Sequence, residues 1–151
     1  MISIRRGLSF IAVVVAGFCH AGCGNPAAMY ESSANVKHIT QGDFAGEVTL
    51  CSQPVVVDFY ATWCGPCRVL SPMLDRAAGA YTGKIKFVKV NVDESPGLAQ
   101  NHRADALPMV LLFKEGKLAD KIVGLPTEAD LKAKLDALVA GPGMPTNAPA
   151  H

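Results

Sequence analysis

The segment Val57-Asp58-Phe59-Tyr60-Ala61-Thr62-Trp63-Cys64-Gly65-Pro66-Cys67-Arg68 joins an apolar run to two cysteines separated by two residues. Upstream, Pro54 to Tyr60 contains Val55, Val56, Val57, Phe59 and Tyr60. A run that is apolar on both faces reads as a strand buried between two helical layers. Downstream, Val69, Leu70, Met73, Leu74, Ala77 and Ala78 recur at helical period, which predicts a helix from Cys64 to about Tyr81 packed on that strand. Pro72 falls inside this helix and is expected to kink it rather than end it. The cysteines therefore stand where a central strand ends and a helix begins.

The pattern continues outward from this unit. Ile85 to Val92 reads as a second strand, and strand, helix, strand at this spacing implies a right-handed parallel crossover. Before it, Thr40 and Asp43 resemble a capping box ahead of Phe44 and Val48, predicting a short first helix. After it, Ser95 and Pro96 read as the cap and first position of a third helix through Leu98 and Ala99. Met109 to Phe113 and Leu118 to Val123 are strands at hairpin spacing around Lys114 to Lys117. Thr127 with Asp130 opens a last helix whose Leu131, Leu135, Leu138 and Val139 are expected to face inward. The fold class is α/β, a mixed sheet sandwiched by helices, with a parallel βαβ half and an antiparallel hairpin half.

The chain has 151 residues, half of them apolar, a formal net charge of +1 and no Lys or Arg run longer than two. One domain with short appendages fits this length, and the charge suggests no nucleic-acid partner. The expected organisation is a signal segment at 1–23, a flexible linker at 24–34, the folded domain at 35–140 and a disordered tail at 141–151. Arg5 and Arg6 precede an apolar run from Gly7 to Phe18, the pattern of an export signal. The run is shorter than the roughly 20 residues of a spanning helix. Ala21-Gly22-Cys23 resembles the end of a bacterial lipobox, which marks Cys23 as the candidate lipid-attachment residue. His20 departs from that pattern, and ordinary cleavage to a free soluble domain is the alternative.

The five cysteines lie at 19, 23, 51, 64 and 67, which is no spread-out disulfide framework. Cys64 and Cys67 in a first helical turn can bring their sulfurs to bonding distance. Free N–H groups and the helix dipole favour a thiolate there, so Cys64 reads as the nucleophile and Cys67 as the resolving thiol. The expected cycle is attack on a substrate disulfide, a mixed disulfide, then release by Cys67. A zinc site is the competing reading of such a pair, but zinc needs four ligands, and neither a second such pair nor a His pair at ligand spacing is present. A purely structural disulfide is the other. No metal and no cofactor is called for. Cys51 reads as a small buried filler. Asp58, within an apolar strand, is costly to bury without a job, and burial should raise its pKa.

Taken together, the segment from Val57 to Arg68 resembles the active-site segment of the thioredoxin family, and the likeness runs from about His38 to Val139. It implies a thioredoxin fold and thiol-disulfide oxidoreductase activity. It further implies that Asp58 moves the proton of Cys67 with Lys89, a charged residue of the central strand, as its electrostatic neighbour. Pro108 matches the family's cis-proline, so the Leu107-Pro108 bond is expected to be cis. Pro72 matches the helix kink and Gly124 the substrate-groove glycine. Trp63, Gly65, Pro66, Leu107, Pro108 and Gly124 are the expected substrate-binding positions, the backbone beside Pro108 pairing with a substrate strand. Met109, Ala106 and Asp105 depart from the family's usual residues, which bears on substrate preference.

Gly65-Pro66 resembles the dipeptide of reducing members of the family, whereas oxidases and isomerases commonly carry His there. The expected activity is therefore reduction of protein disulfides in redox homeostasis. An extracytoplasmic oxidase or isomerase, and a redox-inert binding module, are the alternatives. The expected partners are disulfide-bearing proteins and an upstream thiol or membrane electron donor, with the protein a monomer outside the cytoplasm. It would be cytoplasmic only if residues 1–23 are not a working signal.

Overall fold

The computed structural model describes residues 35–140. In chain order the elements are β1 (Lys37–His38), α1 (Ala45–Thr49, one π-type turn), β2 (Val55–Tyr60), α2 (Gly65–Ala80) and β3 (Lys86–Asn91). They continue with α3 (Pro96–Asn101), β4 (Met109–Lys114), β5 (Lys117–Val123) and α4 (Glu128–Ala140). The sheet order is β1-β3-β2-β4-β5, with β3 parallel to β1 and β2, and β4 antiparallel to β2 and β5. The expected mixed sheet, parallel on one side and a hairpin on the other, is what forms.

Strand pleating sends alternate residues to opposite faces, and both faces are covered. On one, Leu70, Leu74 and Ala78 of α2 and Leu131, Leu135 and Leu138 of α4 pack on Val56, Phe87, Val110 and Leu112. On the other, Phe44 and Val48 with Leu98 pack on Val55, Val57, Phe59, Val88, Val90 and Leu111. Every residue of β2 is consequently buried, which explains why it is apolar at every position except Asp58. At roughly 1.5–3 kcal/mol per fully buried large side chain, these two layers are the main source of stability. The hairpin closes through Glu115 and Gly116, whose φ angles of 51° and 72° give the positive-φ pair that suits the twist of the strands.

Several local expectations are corrected. The Asp43 carboxylate accepts the Thr40 N–H at 2.9 Å and its hydroxyl at 2.7 Å, so the pair folds the preceding turn. The helix it was expected to cap shrinks to one turn that starts at Ala45 without a side-chain cap. Ser95 precedes α3 as expected, but its hydroxyl accepts the Gln41 N–H at 3.1 Å instead of capping its own helix. Val69 and Val139, expected from helical period to face inward, are exposed, since α2 and α4 each meet the sheet along a narrower face than their apolar content suggests. Cys51 is only half-buried, against the edge of the Phe44 layer. Lys89 lies on β3, beside the central strand β2 rather than within it. β1 has just two residues and left no periodic signal to read. By contrast α4 is capped as expected, the Asp130 N–H reaching the Thr127 hydroxyl at 3.1 Å.

Candidate active site

Cys64 is the N-cap of α2, with extended backbone at φ −78° and ψ 107°, and Gly65 and Pro66 open the helix. Proline costs nothing here because its missing N–H belongs to the turn where helical N–H groups lack partners. This leaves the Cys67 N–H aimed at Cys64 Sγ, 3.2 Å away. The two sulfurs are joined in a disulfide with S–S 2.01 Å and Cα–Cα 5.3 Å. Both cysteines are buried, in a small cluster with Tyr60 and Ala61 that Leu107 and Val92 flank. Leu107-Pro108 is cis, as expected.

The hairpin half brings the remaining expected site residues to the same end of the sheet. The Gly124 N–H donates to the Pro108 carbonyl at 2.8 Å, tying the end of β5 to the start of β4. Gly124 has φ 82°, and a Cβ added to it would meet nothing within 4 Å, so open space lies above this backbone. Trp63 is exposed, and its indole N–H donates to Asp93 Oδ2 at 2.9 Å. Asp93 is a site residue that sequence reading missed. It is held by Asn91, whose side-chain oxygen accepts the Asp93 N–H at 3.0 Å. An Asn two residues before an Asp at a strand end is the signal of such a local turn.

Asp58 is buried in β2 and is the register partner of Lys89 on β3 and Val110 on β4. It shares a strand face with Val56 and so lies on the side that α2 covers. Burial pushes its carboxyl up to about 7, with the positive charge of Lys89 opposing that rise. Its Oδ1 accepts no hydrogen bond from the described residues. The Lys89 ammonium lies 5.8 Å from the centroid of the Tyr60 ring, within cation–π range. Tyr60, read from sequence as strand core, is therefore also a neighbour of the charged pair. A carboxyl poised near neutrality can take up or release a proton at working pH. Cys23 lies outside the described residues.

Comparison with known proteins agrees with this geometry. The thioredoxin family model matches residues 35–137. Thioredoxin 1 of Synechococcus elongatus is 41% identical over 98 residues, which is 65% of this chain and 92% of that protein. Thioredoxin of Porphyra purpurea is 36% identical over 106 residues, 70% of this chain and 99% of that one. A solved chain from work on thiol resolution in a yeast mitochondrial 1-Cys peroxiredoxin via glutathione/thioredoxin systems superposes with TM-score 0.63. It is 34% identical, the match covering 72% of this chain and 97% of that one. With a redox disulfide capping α2 and a five-stranded mixed sheet behind it, the chain belongs to the thioredoxin family of thiol-disulfide oxidoreductases.

Proposed function

We propose that this chain is an exported protein-disulfide reductase in which Cys64 attacks, Cys67 resolves and Asp58 handles the proton. The reading is carried by the Cys64–Cys67 disulfide at the first turn of α2, on the sheet side where Asp58 is buried. In the reduced protein the Cys64 thiolate, favoured by the helix N-terminus, attacks one sulfur of a substrate disulfide and expels the other as thiolate. Asp58 as carboxylate takes the proton of Cys67. The Cys67 sulfur then attacks Cys64 Sγ, and the second substrate sulfur leaves. The substrate gains two electrons and the protein disulfide re-forms.

Lys89 keeps the carboxylate of Asp58 accessible against the cost of burial. Trp63, Gly65 and Pro66 on one side, with Leu107, Pro108 and Gly124 on the other, form the substrate-docking surface. The open backbone at Gly124 supports docking of an extended peptide there.

The N-terminal pattern supports placement outside the cytoplasm, with Cys23 as the lipid anchor and residues 24–34 as the tether. A cytosolic reductase cannot reach such a domain, so a membrane electron donor must restore the dithiol. We take the protein as a monomer acting on disulfide-bearing proteins.

Equilibration of the purified protein against defined glutathione or dithiothreitol ratios tests the direction. A potential near or below about −250 mV supports a reductase, whereas one near or above about −150 mV reassigns it as an oxidase. Cell fractionation tests the anchor: Cys23→Ser should move the protein from the membrane to the soluble extracytoplasmic fraction.

A further inference from the structure

We propose that position 38, where His38 lies beside Glu94, is a positioning site for Asp58, the charge carried there setting how readily the buried carboxyl gives up its proton. The inference rests on the acid/base reading of Asp58 above and adds the surface group that tunes it.

It begins with register. His38 pairs with Lys89 between β1 and β3, and Lys89 pairs with Asp58 between β3 and β2. The three residues form one row across adjacent strands, so their side chains project to the same face. Two strand spacings, roughly 10 Å, separate the ends of the row. His38 is at its exposed end and Asp58 at its buried end. The next positions along the strands, Asn91 on β3 and Tyr60 on β2, are also partners. The His38 ring stands 6.2 Å from the Tyr60 ring, edge to face, and Tyr60 in turn receives the Lys89 ammonium.

Glu94 closes the corner. One carboxylate oxygen lies 3.4 Å from His38 Nε2, and the other accepts the Asn91 side-chain N–H at 2.9 Å. Farther along the same face the sheet is apolar, with Val36, Val56, Phe87 and Val110. The polar patch is thus confined to the corner nearest the Cys64 end of β2. The charged and titratable groups that meet His38 are Glu94 from the loop after β3, Asp43 from the turn before α1, Tyr60 from β2 and Lys89 from β3.

A half-exposed charge about 10 Å from a buried one is partly screened by solvent. The path between them nevertheless runs along Lys89 and Tyr60, so a modest effect on the buried carboxyl is expected. A cation at position 38 favours the Asp58 carboxylate, and a neutral group there does not. Glu94 lies beside the imidazole at the exposed end of the row.

The test is a carboxyl 13C NMR titration of Asp58 in the oxidised full-length protein, comparing His38→Arg, a permanent cation, with His38→Gln. The expected result is a higher Asp58 midpoint in His38→Gln than in His38→Arg by about 0.3 unit or more, a twofold change in proton affinity. The pH profile of disulfide reduction should move in the same sense. Midpoints within about 0.1 unit of each other would overturn the proposal, since a merely structural His38 shifts stability without moving Asp58. Asp58→Asn separates the two claims. If it leaves the pH profile of reduction unchanged, the acid/base reading itself is wrong. If it moves that profile to alkaline pH while the His38 variants titrate alike, only the positioning role falls.

Discussion

Asp58 and Lys89 are register partners on neighbouring parallel strands, both buried, on the sheet face that α2 covers. Burial of the carboxyl outweighs the attraction of the lysine, so its proton is held up to about pH 7. Burying the carboxyl thus carries a cost in stability at alkaline pH.

That cost has a sign and a pH window. The folded-state pKa of Asp58 is about 7 against an ordinary 3.8, so between these values the native state binds more protons than the unfolded state. Stability therefore falls as pH rises from about 4 to about 7. Asp58→Asn should be more stable than the parent at pH 8, by an amount on the order of 4 kcal/mol, with the difference shrinking as pH falls from about 7 to about 4. Urea denaturation at pH 8 and at about pH 4 measures it, and an equal difference at both would contradict the assignment.

The same variant should lose activity. Reduction of a model protein disulfide at pH 7 should slow by about tenfold or more, with the gap closing at alkaline pH where Cys67 ionises unaided. Stopped-flow rates from pH 6 to 9 provide the check.

Cysteine roles separate by trapping. Cys67→Ser should accumulate a mixed disulfide through Cys64, visible as a mass shift on a non-reducing gel, because the resolving sulfur is gone. Cys64→Ser should form no adduct and turn over no substrate. Adducts forming through Cys67 instead would reverse the two roles.

The indole of Trp63 is steered by a single hydrogen bond to Asp93. Asp93→Ala should cost about 1 kcal/mol or less in stability, as an exposed hydrogen bond does. It should raise KM for a protein substrate severalfold while kcat changes little, with an altered Trp63 fluorescence spectrum. A change confined to kcat would place Asp93 in the chemistry rather than in docking.

Gly116 is required twice over. Its φ is 72°, and a Cβ would sit 2.0 Å from the Thr49 carbonyl oxygen, where the hairpin meets the end of α1. Gly116→Ala should destabilise by about 2–4 kcal/mol in a thermal or urea melt, leaving the reduction potential of the folded fraction unchanged.

Much of this is legible in the sequence alone. The apolar run of β2 announced a strand covered on both faces, and Leu70, Leu74, Leu131 and Leu135 appear where helical period placed them. Val69 and Val139 were misread because apolar character shows that a residue can be buried, while the width of the contact decides whether it is. The capping pattern at Thr40 and Asp43 was real as a hydrogen bond but closes a turn, because local pairing does not dictate how far a helix continues past it. β1 escaped notice because two residues carry no period, and its place at the sheet edge comes from pairing with β3.

By itself, the order of residues determined the alternation of strands and helices, the redox pair at a helix start, and the buried carboxylate six positions before it. Each depends on interactions within one or two turns or on the period of a single element. Tertiary structure alone decided that Lys89 and His38 stand in one row with Asp58, that Asp93 holds Trp63, and that Gly124 meets Pro108. Those relationships join residues far apart in the chain, and strand order and register, set by packing of the whole sheet between its helices, are what bring them together.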